Sequence, residues 1–322
     1  MTNDTSYTTE EIAKLLKISK LTVYDLIKKG ELASYRVGKQ MRVDASDLET
    51  YKLRSKGKIA NAADNAAVVP KELLRPTRQT MNLSHTLERQ IVITGQDISL
   101  DILAKHIEKQ MPSIRPLRSF VGSMDSLVSM YRGESDIVST HLLDGDSHSY
   151  NIPYVRKLFV SQSVIVVHLL ARSAGFYVVK GNPLGLEGWS DLTKPGLRLI
   201  NREKGSGARV LLDEQLRLHH IDPSSLMGYL DEENSHLAIA GKVAAGAADV
   251  GIGIENAARI VGSVDYIPLI QEQYDLVMLK RPENREWIEE VLTILQSKAL
   301  HHELQSIHGY DLQRTGQILF EN

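Results

Sequence analysis

The chain contains no cysteine among its 322 residues, which excludes disulfides, thiolate metal sites and cysteine nucleophiles. No apolar run is long enough to cross a bilayer; the longest, such as 163–171, are short and interrupted. Residues 1–11 are polar and lack an apolar h-region, so no secretory signal is expected and the expected location is cytoplasmic. Catalytic signatures are missing too. Gly205-Ser206-Gly207-Ala208 lacks the Gly-x-Ser-x-Gly frame of a hydrolase elbow. No Gly-Lys-Ser/Thr closes a phosphate loop, and Lys204-Gly205-Ser206 has the order reversed. His219-His220 and His301-His302 form no chelate by themselves, because neighbours on a helix point about 100° apart. Neither an enzyme nor a metal or cofactor protein is expected.

What is present is an ordinary globular composition, 42% hydrophobic and 24% charged, at a length that suits two domains. The net charge of −2 conceals an asymmetry. Residues 1–60 hold 12 Lys+Arg against 8 Asp+Glu, a balance of +4, which leaves −6 for the remainder. A basic head on an acidic body fits a nucleic-acid-binding module joined to something else, although ordinary fluctuation gives the same sum.

The segment 7–16 reads as a short helix, with Thr8 or Thr9 as cap, Glu11 completing a capping box, and Ile12, Leu15 and Leu16 on one face. Lys17-Ile18 makes a turn. Ser19 caps a second helix over 20–29 with Val23, Leu26 and Ile27 buried, and Gly30 ends it. Its outward face carries Lys20, Thr22, Tyr24 and Lys28, types that donate to phosphates or read base edges. Two strand-like runs, 32–37 and 41–43, flank Gly38-Lys39-Gln40 and make a hairpin with Arg36, Lys39 and Arg42 at its tip. A third helix starts near Asp44 or Ser46 and contains Leu48 and Tyr51. Thr22-Val23-Tyr24-x-Leu26-Ile27-Lys28-Lys29-Gly30-Glu31-Leu32, followed by Tyr35-Arg36-Val37-Gly38-Lys39, resembles the excisionase/MerR-type winged helix-turn-helix. The resemblance covers about residues 7–54. It implies that the second helix enters the major groove of double-stranded DNA and that the wing touches backbone or minor groove. Thr9, Ser19, Lys20, Thr22, Tyr24, Lys28, Arg36, Lys39 and Arg42 are then the DNA-contacting candidates. A helical protein-interaction module is the alternative.

Residues 55–88 lose periodicity, with Pro70 and Pro76 as breakers, and read as a linker, either a tether or a dimer arm. From residue 89 strands and helices alternate, which is α/β architecture. One pattern occurs twice. A helix opened by Gly122-Ser123 closes at Gly133 and is followed by a strand from Asp136, and a helix opened by Ser235-His236 closes at Gly246 and is followed by a strand from Asp249. The offset is 113 residues in each case, 246 less 133 and 249 less 136. A second pair joins it: strands 91–94 and 197–201, each leading through a polar loop into a helix. Two similar lobes with a cleft lined by helix starts are therefore expected, and such starts suit an anion.

The body also resembles a family. Asn201-Arg202-x-x-Gly205-Ser206-Gly207-x-Arg209, Gly122-Ser123-x-x-x-Leu127, Arg132-Gly133-Glu134-x-Asp136-Ile137 and His141-Leu142-Leu143-Asp144 are similar to the periplasmic-binding-protein-like domain fused to such heads in bacteria. Arg172-x-x-Gly175, Gly181-Asn182-Pro183, Ser235-His236-Leu237-Ala238 and Tyr274-Asp275-Leu276-Val277 extend the match, which covers about residues 88–315. The resemblance implies a two-lobed type II fold and, through related transport proteins, a tetrahedral oxyanion ligand such as molybdate or tungstate. Departures are Ala208 where Thr or Ser is usual, Gln96-Asp97-Ile98 in the first turn, and Ser173-Ala174.

A dianion of that kind needs many neutral donors and few full charges. Thr94, Gly95, Gln96, Ser123, His141, Arg202, Ser206, Gly207, Ala208, Arg209, Ser235, His236 and Tyr274 are the ligand-site candidates. Each has a plainer role open to it: the serines as helix caps, Gly205 and Gly207 as turn residues, Arg202 and Arg209 in ion pairs across the lobes, and His141 as structural. Asp97 would repel an anion and is expected to cap the following helix or pair with an arginine. The domains expected are 1–54, a linker 55–88 and 89–322. The function expected is a homodimeric, ligand-responsive DNA-binding regulator. An organic anion or cofactor-like ligand, a solute-binding protein, or an enzyme of the bilobed fold are the alternatives.

Overall fold

The computed structural model describes residues 6–16, 20–28, 32, 34–37, 40–45, 47, 48, 51 and 89–322. The chain divides into two compact units, Met1–Met81 and Asn82–Asn322. The expected linker 55–88, the Lys17-Ile18 turn, Ser19, Gly30 and Lys39 lie outside the described residues, as do the side chains of Lys28 and Arg36.

In the first unit Ser6–Thr8 forms strand β1, where the sequence pattern suggested the start of a helix. Helices α1 (Thr9–Leu16) and α2 (Lys20–Lys28) follow, then strands β2 (Tyr35–Val37) and β3 (Gln40–Asp44). The capping box forms as expected. The Thr8 amide donates to Glu11 Oε2 at 2.8 Å and the Glu11 amide donates to Thr8 Oγ1 at 3.4 Å. β3 pairs antiparallel with β2, the hairpin of the wing, and on its other side with β1. Ile12, Val23, Leu32, Val43 and Leu48 form the core of this unit. Ala45, Asp47, Leu48 and Tyr51 are helical, where the third helix is expected.

The second unit starts with β4 (Arg89–Thr94), α3 (Ser99–Gln110), β5 (Ile114–Ser119), α4 (Ser123–Tyr131) and β6 (Ile137–Thr140). The small hairpin β7 (Leu143–Asp144) and β8 (Ser149–Tyr150) leads to α5 (Ile152–Leu158) and the long strand β9 (Val164–Val179). Next come β10 (Leu199–Arg202), α6 (Gly207–Leu218), β11 (Glu232–Glu233), α7 (His236–Ala244), β12 (Val250–Ile254) and α8 (Glu255–Val261). A second long strand, β13 (Val264–Leu279), precedes α9 (Arg285–Leu295), α10 (Lys298–Gln305), β14 (Tyr310–Asp311) and β15 (Ile318–Glu321).

The strand order is β11-β10-β12-β9-β13-β6-β4-β5, with β14 and β15 also paired to β9. β9 and β13 are antiparallel and cross the whole body. Residues 164–170 of β9 lie opposite 274–279 of β13, and 171–179 lie opposite 264–273. The two halves serve different cores. In the first lobe Ile165, Val167 and Leu276 pack with residues of α3, α9 and α10, while Val166 and Val277 pack on the opposite face with residues of α4 and α5. In the second lobe Phe176 and Val178 pack with α6, and Tyr177 and Val264 with α7 and α8. Each half-sheet is covered on both faces, which is why β9 reads as an almost unbroken apolar run and not as an alternation. One curled mixed sheet thus carries two lobes.

The internal repeat is structural. Asp136 and Asp249 each stand immediately before the third strand of a lobe, and each carboxylate accepts a 2.8 Å bond from an amide in or at the entry of the first strand, Val92 in one lobe and Arg198 in the other. The amides of the two aspartates return bonds to those same residues. Gly133 and Gly246, which close the preceding helices, both have positive φ, 79° and 72°.

Candidate functional site

The parallel strands of both lobes deliver their carboxyl ends to one cleft. From the first lobe come the β4 end at Gly95-Gln96-Asp97, the α4 start at Gly122-Ser123, and Ser139 and His141 at the end of β6. From the second come Arg202 at the end of β10, the α6 start at Ser206-Gly207, and the α7 start at Ser235-His236. The crossing strands add Arg172, Glu272 and Tyr274. Two adjoining cavities result. The smaller, about 10 Å³, is lined by Gln96, Ser123, Ser139, Arg202, Ser206 and Gly207 among others. The larger, about 260 Å³, is lined by Asp97, Arg172, Ser235, His236 and a set of apolar side chains. Gln96, His141 and Tyr274 line both.

The lobes touch directly across the smaller cavity. The Met124 amide in the first turn of α4 donates to the Gly205 carbonyl at 2.9 Å. Gln96 accepts from the Arg202 guanidinium at 2.6 Å and donates to Glu203 at 3.1 Å. Two glycines make this approach possible. A Cβ on Gly122 would stand 2.8 Å from the Gly205 carbonyl oxygen, and one on Gly207 would stand 2.3 Å from the His141 ring.

A buried ion cluster sits where β9 and β13 pass from one lobe to the other. Arg172 on β9 is paired with Glu272, its cross-strand partner on β13, and with Asp97 after β4. Its guanidinium lies 4.6 Å from the Tyr274 ring centre. Asp97 also accepts from Tyr310 at 2.6 Å and from the Ser99 amide at 2.8 Å, so it caps α3 and pairs with an arginine, the two roles expected of it. Glu272 also bonds His141 at 3.1 Å. Burial alone would raise the Glu272 carboxyl, but Arg172 and then His141 outweigh it and hold it well below the usual carboxylate range. Burial pushes the Tyr274 hydroxyl up to about 12. His236 is driven well below the ordinary histidine value by burial, then by Arg202 and Arg172, so it stays neutral at pH 7. Its Nδ1 is buried without a hydrogen-bond partner among the described residues.

A family model for the PBP superfamily domain matches residues 104–296, three-fifths of the chain. The chain belongs to this family. A helix-turn-helix domain model matches residues 6–60. The Bacillus subtilis (strain 168) protein named "Uncharacterized protein YvgK" is 47% identical over 321 residues, with all of both chains covered. Among solved structures, a histidine kinase sensor domain with similarity to periplasmic binding proteins is 12% identical, with a TM-score of 0.51 over 69% of this chain and 97% of that one. A mutant of Corynebacterium glutamicum OxyR bound to hydrogen peroxide is 13% identical, with a TM-score of 0.50 over 93% and 89%. At such identities the likeness carries the fold alone.

Within this PBP-like body the expected ligand residues separate into two groups. Gly95, Gln96, Ser123, His141, Arg202, Ser206, Gly207, Ser235, His236 and Tyr274 line the cleft cavities. Thr94, Ala208 and Arg209 do not. Thr94 Oγ1 turns away to Ser135 at 2.6 Å. Ala208 is buried in the second-lobe core, and Arg209 is held by Asp213, Glu232 and the face of Tyr229. Neither Arg202 nor Arg209 forms an ion pair across the lobes; Arg202 pairs with its neighbour Glu203. Two of the serines do cap, Ser206 accepting from the Arg209 amide and Ser235 from the Ala238 amide, both at 3.2 Å, whereas Ser123 is the first residue of its helix after Gly122 and its hydroxyl accepts from the His141 amide at 3.3 Å. Sequence reasoning missed Arg172, Glu272, Ser139 and Tyr310. Arg172 did leave a signal, as the one Lys, Arg, Asp or Glu in the apolar run 164–179, whereas Glu272 sits in a mixed run with Asp265 and Asp275 and left none.

In the helix-turn-helix unit Lys20 and Tyr24 are exposed, and Lys20 is ion-paired with Glu10. Thr22 is exposed. Arg42 donates to Ser6 at 3.0 Å. Thr9 is buried at the start of α1 and presents almost no surface, a correction to its place among the DNA-contacting candidates.

Proposed function

We propose that the protein is a one-component transcription regulator: the N-terminal unit binds an operator in double-stranded DNA, and the cleft of the body senses a small oxyanion, with molybdate or tungstate as the first choice. The observation that carries this reading is the presence in one chain of a helix-turn-helix domain and a two-lobed PBP-like body whose cleft gathers helix starts. No helix among the described residues is long and apolar enough to cross a membrane. A homodimer in the cytoplasm reading two half-sites about one helical turn apart completes the proposal.

Neutral donors near Arg202 suit a dianion, since hydroxyls and amides solvate charge without burying a counter-ion. A cavity of about 10 Å³ has room for about one water. An oxyanion therefore enters only as the lobes part, exchanging the Met124–Gly205 bond and the Gln96 bridge for bonds to itself and competing with Glu203 for Arg202. Lobe angle and occupancy are thereby coupled, the condition for a ligand to shift a conformational equilibrium. Calorimetric titration of the full chain with molybdate, tungstate, sulfate and phosphate tests the anion. Heat of binding with the first two supports it. Silence with all four discards the oxyanion and leaves the regulator standing.

A further inference from the structure

The larger cavity points to more than a bare ion. We propose that it receives an uncharged, ring-bearing organic group, so that besides a bare oxyanion the cleft takes an organic oxyanion whose anionic end lies in the smaller cavity. This rests on the reading of the cleft as the anion site.

Three observations carry it. The first is the character of the walls. Ile98 from the first lobe and Leu237 and Ile260 from the second are 53%, 46% and 64% exposed, and all three line this one cavity with Ile254, Ala257 and Tyr310. A single exposed aliphatic side chain is unremarkable, but several converging from two lobes on one concavity mark a surface that an apolar group covers. The second is charge. The lining groups that take part in ion pairs are Asp97, Arg172 and His141, the first two already paired with one another and His141 with Glu272. Arg172 is held in addition by Glu272, and Asp97 by Tyr310 and the Ser99 amide. A charged group placed here would find no uncompensated partner and would have to break the buried ion cluster. The uncharged polar lining groups, Ser235, neutral His236 and Asn256, suit hydroxyl or amide functions on a ring. The third is continuity. Gln96, His141 and Tyr274 border both cavities, so one molecule reaches from the helix starts into the apolar space. At about 260 Å³ the larger cavity is near the lower limit of small-molecule pockets, about 300 Å³.

The test compares matched probes by calorimetry on the full chain: inorganic phosphate against phenyl phosphate, and sulfate against benzenesulfonate. Each aryl probe is expected to bind about tenfold or more tightly than its bare anion, because the ring leaves water. Its binding is also expected to show a more negative heat-capacity change. The double variant Leu237→Gln, Ile260→Gln, altering two exposed side chains, is expected to abolish the aryl preference. If that variant does not fold, the heat-capacity comparison in the unaltered protein decides alone. Aryl probes that bind no more tightly than bare anions overturn the inference and leave the anion reading intact. A preference that survives in a folded double variant places the ring elsewhere and also overturns it. Silence with all four probes overturns this inference, while the anion reading then stands or falls on the molybdate and tungstate titrations.

Discussion

Arg172 and its carboxylates show how much a single buried ion commits the fold to one arrangement. The guanidinium is 4% exposed, and Asp97 and Glu272 are similarly enclosed. Removing the cation leaves two buried carboxylates without their partner, so Arg172→Met should cost about 3–5 kcal/mol. Both tryptophans, Trp189 and Trp287, lie in the body, so urea unfolding followed by their fluorescence measures it. A loss below about 1 kcal/mol, the range of an exposed pair, would contradict this account. His236 supplies a pH dependence. Its folded value lies well below the ordinary 6.5. Between those two values the unfolded chain binds more protons than the folded one, so stability falls as pH drops through about 6.5. The depressed Glu272 has the same sign, but its contribution is lost only in stronger acid. Melting temperature should therefore decline from about pH 7.5 to about pH 5.5, and His236→Gln should flatten that decline. An unchanged slope in the variant would contradict the assignment. Asp97 was legible in the sequence because a carboxylate at a helix start has few uses. Arg172 and Glu272 were not, since they meet only through the register of two strands 100 residues apart.

The elements that build the cleft were the most legible part of the molecule. Helix starts at Ser123, Ser206 and Ser235 follow from serine or glycine ahead of an apolar-periodic run, and the repeated Gly-to-Asp spacing announced two lobes. Side-chain direction was less accessible. Thr94 ends its strand as expected, yet its hydroxyl turns to Ser135, and nothing local in the sequence decides which face of the sheet it takes. β1 was misread as helix because Tyr7 and Thr8 pair with β3 some 35 residues later. The close approach of α6 to His141 gives a test at this scale. Gly207 is the first residue of α6, with helical backbone that alanine also adopts. Gly207→Ala should therefore leave the body folded but hold the lobes apart, because its Cβ would overlap the His141 ring. Small-angle scattering should report a larger radius of gyration for the variant. An unchanged profile together with unchanged anion affinity would show that the contact does not govern closure.

At the scale of the whole molecule, one polypeptide joins a basic N-terminal head to an acidic two-lobed body. If the wing contacts phosphate, Arg36→Ala or Lys39→Ala should weaken binding on every DNA sequence and reduce the salt slope by about one. A loss confined to one sequence would instead indicate base readout. The ligand was the least legible feature, because the apolar walls come from residues scattered over both lobes. The most direct test of regulation is fluorescence anisotropy of the full chain on its own upstream DNA and on unrelated DNA, at physiological salt. Each titration is run without effector, with molybdate and with phenyl phosphate. The account predicts preference for the upstream DNA and a midpoint that moves about fivefold or more with at least one of the two anions. Equal binding to both DNAs, with no response to either anion, would contradict it.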